Sequence, residues 1–155
     1  QKKYTIYKDN ERPAATKVEG QSELNFIILR YADVLLMYAE AQNEAAGPDA
    51  SVYEAVNQVR RRVKMPDLPA GLTKDAMRAE LRHERRIELA GEGLYYHDIR
   101  RWRTAETVMN GDIFNSKGQR IGTRRFNANR DYLWPIPSVA IQLNPALEQN
   151  PGYNK

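Results

Sequence analysis

Along residues 74–91 the apolar positions return with a helical period. At about 100° per residue, Met77, Leu81, Glu84 and Glu88 fall within one narrow sector. Two carboxylates therefore ride on an apolar stripe. A buried carboxylate without a partner costs several kcal/mol, so each requires an arginine or backbone donors facing it. The same period predicts a helix from about Phe26 to Ala46, with Val34, Met37, Tyr38, Ala41 and Ala45 on one face, Arg30 on that same face, and Gly47-Pro48 as the stop. A second helix opens at Ser51, whose side chain caps it while Glu54 reaches back in a capping box. This helix ends before Pro66 and carries Val52, Val56, Val59 and Val63 on its apolar side. These two helices are expected to form an antiparallel hairpin.

Pro66 to Gly71 reads as a loop, Thr73 as the cap of the helix running to about Ala90, and Gly91 and Gly93 as its breakers. A fourth helix is expected from Tyr96 to Asn110, terminated by Gly111. Residues 112–131 lack a helical period and read as a surface loop or irregular hairpin around Lys117-Gly118. From Tyr132 the chain reads as an extended piece, a turn set by Pro135 and Pro137, a short helix capped by Ser138, and an extended end. At the other end, Tyr4, Ile6 and Tyr7 alternate ahead of a Pro, Ala, Thr and Gly stretch, predicting an extended arm and loop over residues 1–25. The expected class is mainly α, with tetratricopeptide-like helical hairpins over 26–111 and a loop and wrapped tail over 112–155. Two units do not by themselves establish a repeat.

Composition narrows the chemistry. The chain has 155 residues, 41% hydrophobic and 28% charged, enough for one domain with a core. No apolar run approaches the roughly 18 residues of a membrane helix. With no cysteine, disulfides, thiolate metal sites and cysteine nucleophiles are excluded for these residues. The net charge of +4 comes from arginine-rich helices. Its one basic cluster, Arg60, Arg61, Arg62 and Lys64, reads as the solvated side of the valine helix, and no nucleic-acid partner is expected. Starting at Gln1 without an apolar leader, the chain reads as a processed or truncated product.

The segment from Glu84 to Trp102 holds four acids, four arginines and three aromatics without net charge. Arg30 on the first helix and Glu84 and Glu88 on the third are complementary, predicting a buried ion-pair network that fixes how the hairpins dock. The competing reading is a glycosidase pair of carboxylates. Acids one turn apart and crowded by Arg85 and Arg86 suit ion pairs better than a general acid. Glu80 and His83 have the spacing of a di-iron ligand pair, but that architecture needs two such motifs, and Leu94 stands three residues before His97. No phosphate loop or nucleophile elbow is present. No catalytic residue, metal ligand or cofactor is therefore expected. Tyr95, Tyr96 and Trp102 could stack on sugar rings, against the plainer reading of core aromatics.

The stretches LRYADVLLMYAEAQNE from Leu29, ERRIELAGEG with DIRRW, and LWPIP with NPALEQNPGY resemble, in order and spacing, the C-terminal region of the SusD/RagB family. The resemblance runs from about Phe26 to Tyr153, with Tyr95 standing where the family often has arginine. It implies a mainly helical fold with tetratricopeptide-like hairpins. It also implies a non-enzymatic lipoprotein on the outer-membrane surface, anchored through a lipidated cysteine outside this chain. Such a protein captures oligosaccharides or other nutrients and acts with a SusC-like TonB-dependent transporter. The matched motifs look like scaffold, and no ligand-contacting position is carried over. The alternative is an intracellular helical-hairpin scaffold that binds a protein partner.

Overall fold

The structure, a computed structural model, describes residues 27–154, so the expected arm over residues 1–25 lies outside the described residues. Two compact units divide it, residues 1–88 and 89–155. The described part is mainly α-helical with the hairpin packing of tetratricopeptide-like proteins, and it has a single two-stranded sheet.

In the first unit, α1 spans Tyr31–Ala46, α2 Ala50–Arg62 and α3 Lys74–Glu88. Helix α1 lies antiparallel to α2, with the Tyr38 hydroxyl on Ser51 Oγ at 2.9 Å near the connection. It also lies antiparallel to α3. Asn43 Nδ2 donates to the Lys74 carbonyl at one end, and Arg30 meets Glu88 at the other. Between them Leu36, Ala39, Val52, Val56, Val59, Met77 and Leu81 form the core. A fully buried aliphatic side chain of this kind contributes about 1.5–3 kcal/mol. The stripes expected on α2 and α3 face this core, except that Val63 is exposed.

On α1 the two faces are exchanged. Val34, Met37, Tyr38, Ala41 and Ala45 are exposed, and the buried side is Asp33, Leu36, Ala39 and Asn43. Helix α1 also begins later than expected, because Arg30, as its N-cap, is extended. The cap of α2 is Asp49 rather than Ser51. Its carboxylate accepts from the Ser51 and Val52 backbone amides at 2.9 and 3.1 Å. Thr73 caps α3 as expected, its hydroxyl accepting from the Ala76 amide at 3.2 Å.

At two helix ends a residue other than glycine takes the left-handed conformation. After α2, Met65 N donates to the Arg60 carbonyl and Lys64 N to that of Arg61, a Schellman ending with Lys64 at φ +61°. The intervening loop is pinned by Asn57 Oδ1, which accepts from Leu68 N at 2.9 Å, and by the Tyr53 hydroxyl, which accepts from Leu72 N at 2.9 Å.

In the second unit, the fourth helix of the sequence reading is two helices, α4 over Tyr95–Arg101 and α5 over Ala105–Val108. Arg103 at φ +56° breaks it, with Thr104 N bonded to the Ile99 carbonyl in the same Schellman pattern. The polar stretch that follows is an antiparallel hairpin of β1, Gly111–Phe114, and β2, Arg120–Arg124, with a bulge at Ile113/Phe114. Its turn carries Gly118 at φ +75°. Helix α6 spans Ser138–Leu143. Ser138 is its first helical residue and makes no cap, the N-cap position being Pro137. The tail folds back on itself. Gln149 brackets the Ile136 backbone with two bonds of 2.8 and 2.9 Å, and the Tyr153 hydroxyl donates to the Leu133 carbonyl at 3.0 Å.

Candidate functional site

The charged stripe of α3 is where the sequence concentrated its chemistry, and each of its acids has a guanidinium partner. Arg30 Nη1 lies 2.5 Å from Glu88 Oε1, and its Nη2 donates to the Glu88 carbonyl at 2.7 Å. Arg62, one helix over, reaches the same carboxylate oxygen at 2.6 Å. Glu84 meets Arg60 of α2 at 2.6 Å. The expected grouping of Arg30 with both Glu84 and Glu88 is therefore split: Arg30 takes Glu88, and Arg60 takes Glu84. The most enclosed pair was not foreseen. Arg85 Nη1 lies 2.5 Å from Asp33 Oδ1, with both side chains 6% exposed.

Helical spacing explains this division. Glu84, Arg85 and Glu88 sit on neighbouring sectors of α3, so they address different neighbours: Arg85 faces α1, Glu84 faces α2, and Glu88, between them, takes both Arg30 at the start of α1 and Arg62 of α2. The basic cluster of α2 is correspondingly not a plain solvated face. Arg60 and Arg62 supply counter-charge to α3, and Arg61 pairs with Asp67 at 2.5 Å and with Glu54 at 3.1 Å. Four-residue steps along α2 would have shown that Val52, Val56 and Arg60 share a side. Asp33, beside the apolar residues of α1, gave no comparable signal. The arrangement ties three helices together by charge-assisted bonds. It directs its carboxylates at arginines.

Beside this network Arg30, Tyr31, Leu35, Gln58, Val59 and Arg62 line an open depression of about 270 Å³.

In the second unit a guanidinium again organises the chain. Arg100 Nη1 donates to the Tyr96 hydroxyl at 2.6 Å and to the Asp131 carbonyl at 2.9 Å, and Nη2 donates to the Tyr132 carbonyl. Its Cζ lies 5.1 Å from the Tyr96 ring centroid and 6.0 Å from that of Trp134. Tyr96, Arg100, Arg125, Phe126, Trp134 and Tyr153 contribute to a depression of about 240 Å³. Of the aromatics singled out in the sequence, Tyr96 lies edge-on to Trp134 with centroids 6.3 Å apart, and Trp102 lies under the Arg101 guanidinium at 4.9 Å. Trp134, in the LWPIP stretch, is 69% exposed and adds a further aromatic to this depression.

The capped start of α2 and the last turn of α1 also show local electrostatics. The Ser51 hydroxyl, then the Gln42 amide and the Val52 backbone amide, hold the Asp49 carboxyl down to about 2 from its ordinary 3.8. The Arg78 guanidinium likewise lowers Glu44.

Comparison with known proteins agrees with this framework. The chain is 35% identical over 141 residues to SusD-like protein P2 of Formosa agariphila, covering 86% of the chain and 27% of that protein. It is 36% identical to a SusD-like protein from Bacteroides fragilis, with a TM-score of 0.70 over 83% of the chain and 26% of the other. A laminarin-binding SusD-like protein is 32% identical, with a TM-score of 0.63 over 89% of the chain and 26% of the other. The chain thus spans about a quarter of the length of these relatives. The model of the SusD family matches residues 1–153, including the first 25 that carried no recognisable motif. With its helical framework and nearly its whole length matched, the chain belongs to the SusD family.

Proposed function

We propose that this chain is the C-terminal portion of a SusD-like surface lipoprotein that captures an oligosaccharide or related nutrient and delivers it to a SusC-like TonB-dependent transporter in the outer membrane. The observation that carries this reading is the family match over residues 1–153, joined to a laminarin-binding relative that aligns with 89% of the chain. The role is binding rather than catalysis. Glu84 and Glu88, the acids that a glycosidase reading would need, are both engaged by arginines. In this reading the contacts of Arg30, Glu84 and Glu88 orient the helices of the framework, and the ligand is gripped mainly by parts of the protein outside residues 1–155.

Calorimetry and a glycan array on the full-length protein test the reading. The expected result is saturable binding to a polysaccharide or oligosaccharide without its hydrolysis. Release of cleaved sugar would restore the glycosidase reading. Absence of binding across polysaccharides would remove the glycan from the proposal. Residues 1–155 alone are expected to show no saturable sugar binding. The transporter arm is tested separately, by co-purification of a TonB-dependent transporter with the full-length protein from outer membranes.

A further inference from the structure

The excess charge of the chain is concentrated in one place. Residues 111–130 hold Lys117, Arg120, Arg124, Arg125 and Arg130 against a single acid, Asp112, an excess of four positive charges. The whole chain carries 24 Lys and Arg against 20 Asp and Glu, so everything outside this segment is balanced. Elsewhere the two signs answer one another, as Arg60 answers Glu84, Arg62 Glu88 and Arg85 Asp33. In the β-hairpin that pairing stops. Asp112 is taken by Arg120, whose Nη1 lies 3.4 Å from Oδ1, and by the Thr123 hydroxyl, which donates to it at 2.6 Å. Arg130 pairs with Asp131 at 2.5 Å. Lys117, Arg124 and Arg125 are exposed, and their side chains make no hydrogen bond or ion pair among the described residues.

Like charges gathered on a two-stranded ribbon repel one another, and a counter-charge relieves that repulsion. The ribbon holds them in a fixed line. Asn115 Oδ1 accepts from Lys117 N at 2.9 Å and from Gln119 N at 3.0 Å, closing the tip, and the pairing of β1 with β2 sets the run from Lys117 to Arg124 over about 20 Å. Just past β2, Arg125 lines the aromatic depression together with Tyr96, Phe126, Trp134 and Tyr153. At about 240 Å³ this depression is smaller than the roughly 300 Å³ from which pockets enclose a whole small ligand, so it suits one ring of a longer chain.

The chemistry separates the candidate partners. A lipid surface fits poorly, because interfacial elements bury apolar side chains beneath their cations. Here the tip, Asn115 to Gln119, is polar throughout, and Ile113, Phe114 and Ile121 are set back from it. A second copy would bring the same positive charge against itself. An acidic saccharide meets both features of the surface. Guanidinium groups grip an oxyanion through charge-assisted bonds, and aromatic rings offer an apolar face to a sugar ring.

We propose that the hairpin from Lys117 to Arg125 is an auxiliary contact for an acidic saccharide, one bearing carboxylate or sulfate groups, an inference that rests on the glycan-capturing role proposed above. One ring sits in the depression, and the anionic groups follow the line Arg125, Arg124, Lys117. The contact is open and shallow. It steers and orients a saccharide chain that is held elsewhere in the full-length protein, and does not hold one by itself.

The test uses the full-length protein at physiological salt, on an array that pairs each sulfated or uronate-bearing glycan with its desulfated or carboxyl-reduced form. In each bound pair the acidic member should be retained more strongly, and the two kinds of pair show which group is read. Binding confined to neutral glycans overturns this inference and leaves the glycan-capturing role standing; binding to no glycan overturns both. Arg125→Gln should weaken the acidic glycan about tenfold, whereas Lys64→Gln, the same charge change outside the hairpin, should leave its affinity unchanged. Unchanged affinity in Arg125→Gln overturns the proposal, and so does an equal loss in Lys64→Gln, which marks net charge rather than a site. Phosphatidylglycerol vesicles and polyglutamate should compete far less well than the acidic glycan. Equal competition by the vesicles marks a lipid surface, equal competition by polyglutamate an acidic protein, and either result overturns it.

Discussion

Arg85 on α3 and Asp33 on α1 are paired at 2.5 Å with both side chains almost wholly enclosed. A charge pair this buried gives little net stability compared with a well-packed apolar pair, because desolvation offsets much of the attraction, but leaving one member alone is costly. Arg85→Ala is expected to destabilise the protein by about 3–5 kcal/mol. The double substitution Asp33→Leu with Arg85→Met should recover most of that loss. Chemical denaturation of the single and double variants measures both. A double variant as unstable as the single one would show that the pair is not the unit that matters.

Arg30 and Arg60 should not be equivalent. Glu88 retains Arg62 when Arg30 is removed, whereas Glu84 loses the arginine at 2.6 Å when Arg60 is removed. Charge-assisted bonds contribute about 1.5–3 kcal/mol, so Arg60→Ala should fall toward the upper end and Arg30→Ala toward the lower. Thermal melts rank the two. An unchanged melting temperature for Arg30→Ala would remove its orienting role.

Asp49 links a helix cap to pH. Its carboxyl titrates at about 2 in the folded protein against an ordinary 3.8, because the Ser51 hydroxyl, the Gln42 amide and the Val52 amide all favour the ionised form. A depressed folded value means that the contribution is complete above the ordinary value and is lost as pH falls through about 2. The stability difference between the native protein and Asp49→Asn should therefore shrink as pH drops from 4 to 2. Melting curves of both proteins across that window check it, and a difference that stays constant contradicts it.

Lys64 and Arg103 occupy left-handed positions, at φ +61° and +56°, that glycine fills without penalty. A non-glycine residue there costs roughly 1–2 kcal/mol, so Lys64→Gly should raise stability by up to about that amount. Arg103→Gly should gain less, because the Arg103 guanidinium lies 4.3 Å from the centroid of the Tyr132 ring and that contact would be lost. Paired melts decide it. An Arg103→Gly gain equal to that of Lys64→Gly would show that the ring contact contributes nothing.

These two positions also explain where the sequence misled. Helix ends are readable when glycine or proline marks them, as at Gly47 and Pro66. At Arg103 the left-handed turn is set by backbone bonds from Thr104 and Arg103 to Ile99 and Arg100, which no residue type announces, so helical period alone predicts one long helix where two occur. The cap of α2 is hidden for the same reason: Asp49 and Ser51 are both capping residue types, and the choice of Asp49 depends on the path of the chain after Gly47.

What the sequence determined alone was the periodicity of α2 and α3, the need for arginines opposite Glu84 and Glu88, the breaks near proline and glycine, and the motifs of the SusD family. Periodicity is local, and a stripe such as Val52, Val56 and Val59 needs no partner to be recognised. The tertiary structure decided which partner each charge takes and which face of α1 turns inward. Both faces of α1 carry apolar residues, so helical period could not rank them. Burial of Asp33 and Asn43 is acceptable only because Arg85 and the Lys74 carbonyl stand opposite them. That selection depends on α3 meeting α1 across 52 residues of sequence, a relation that no local pattern contains.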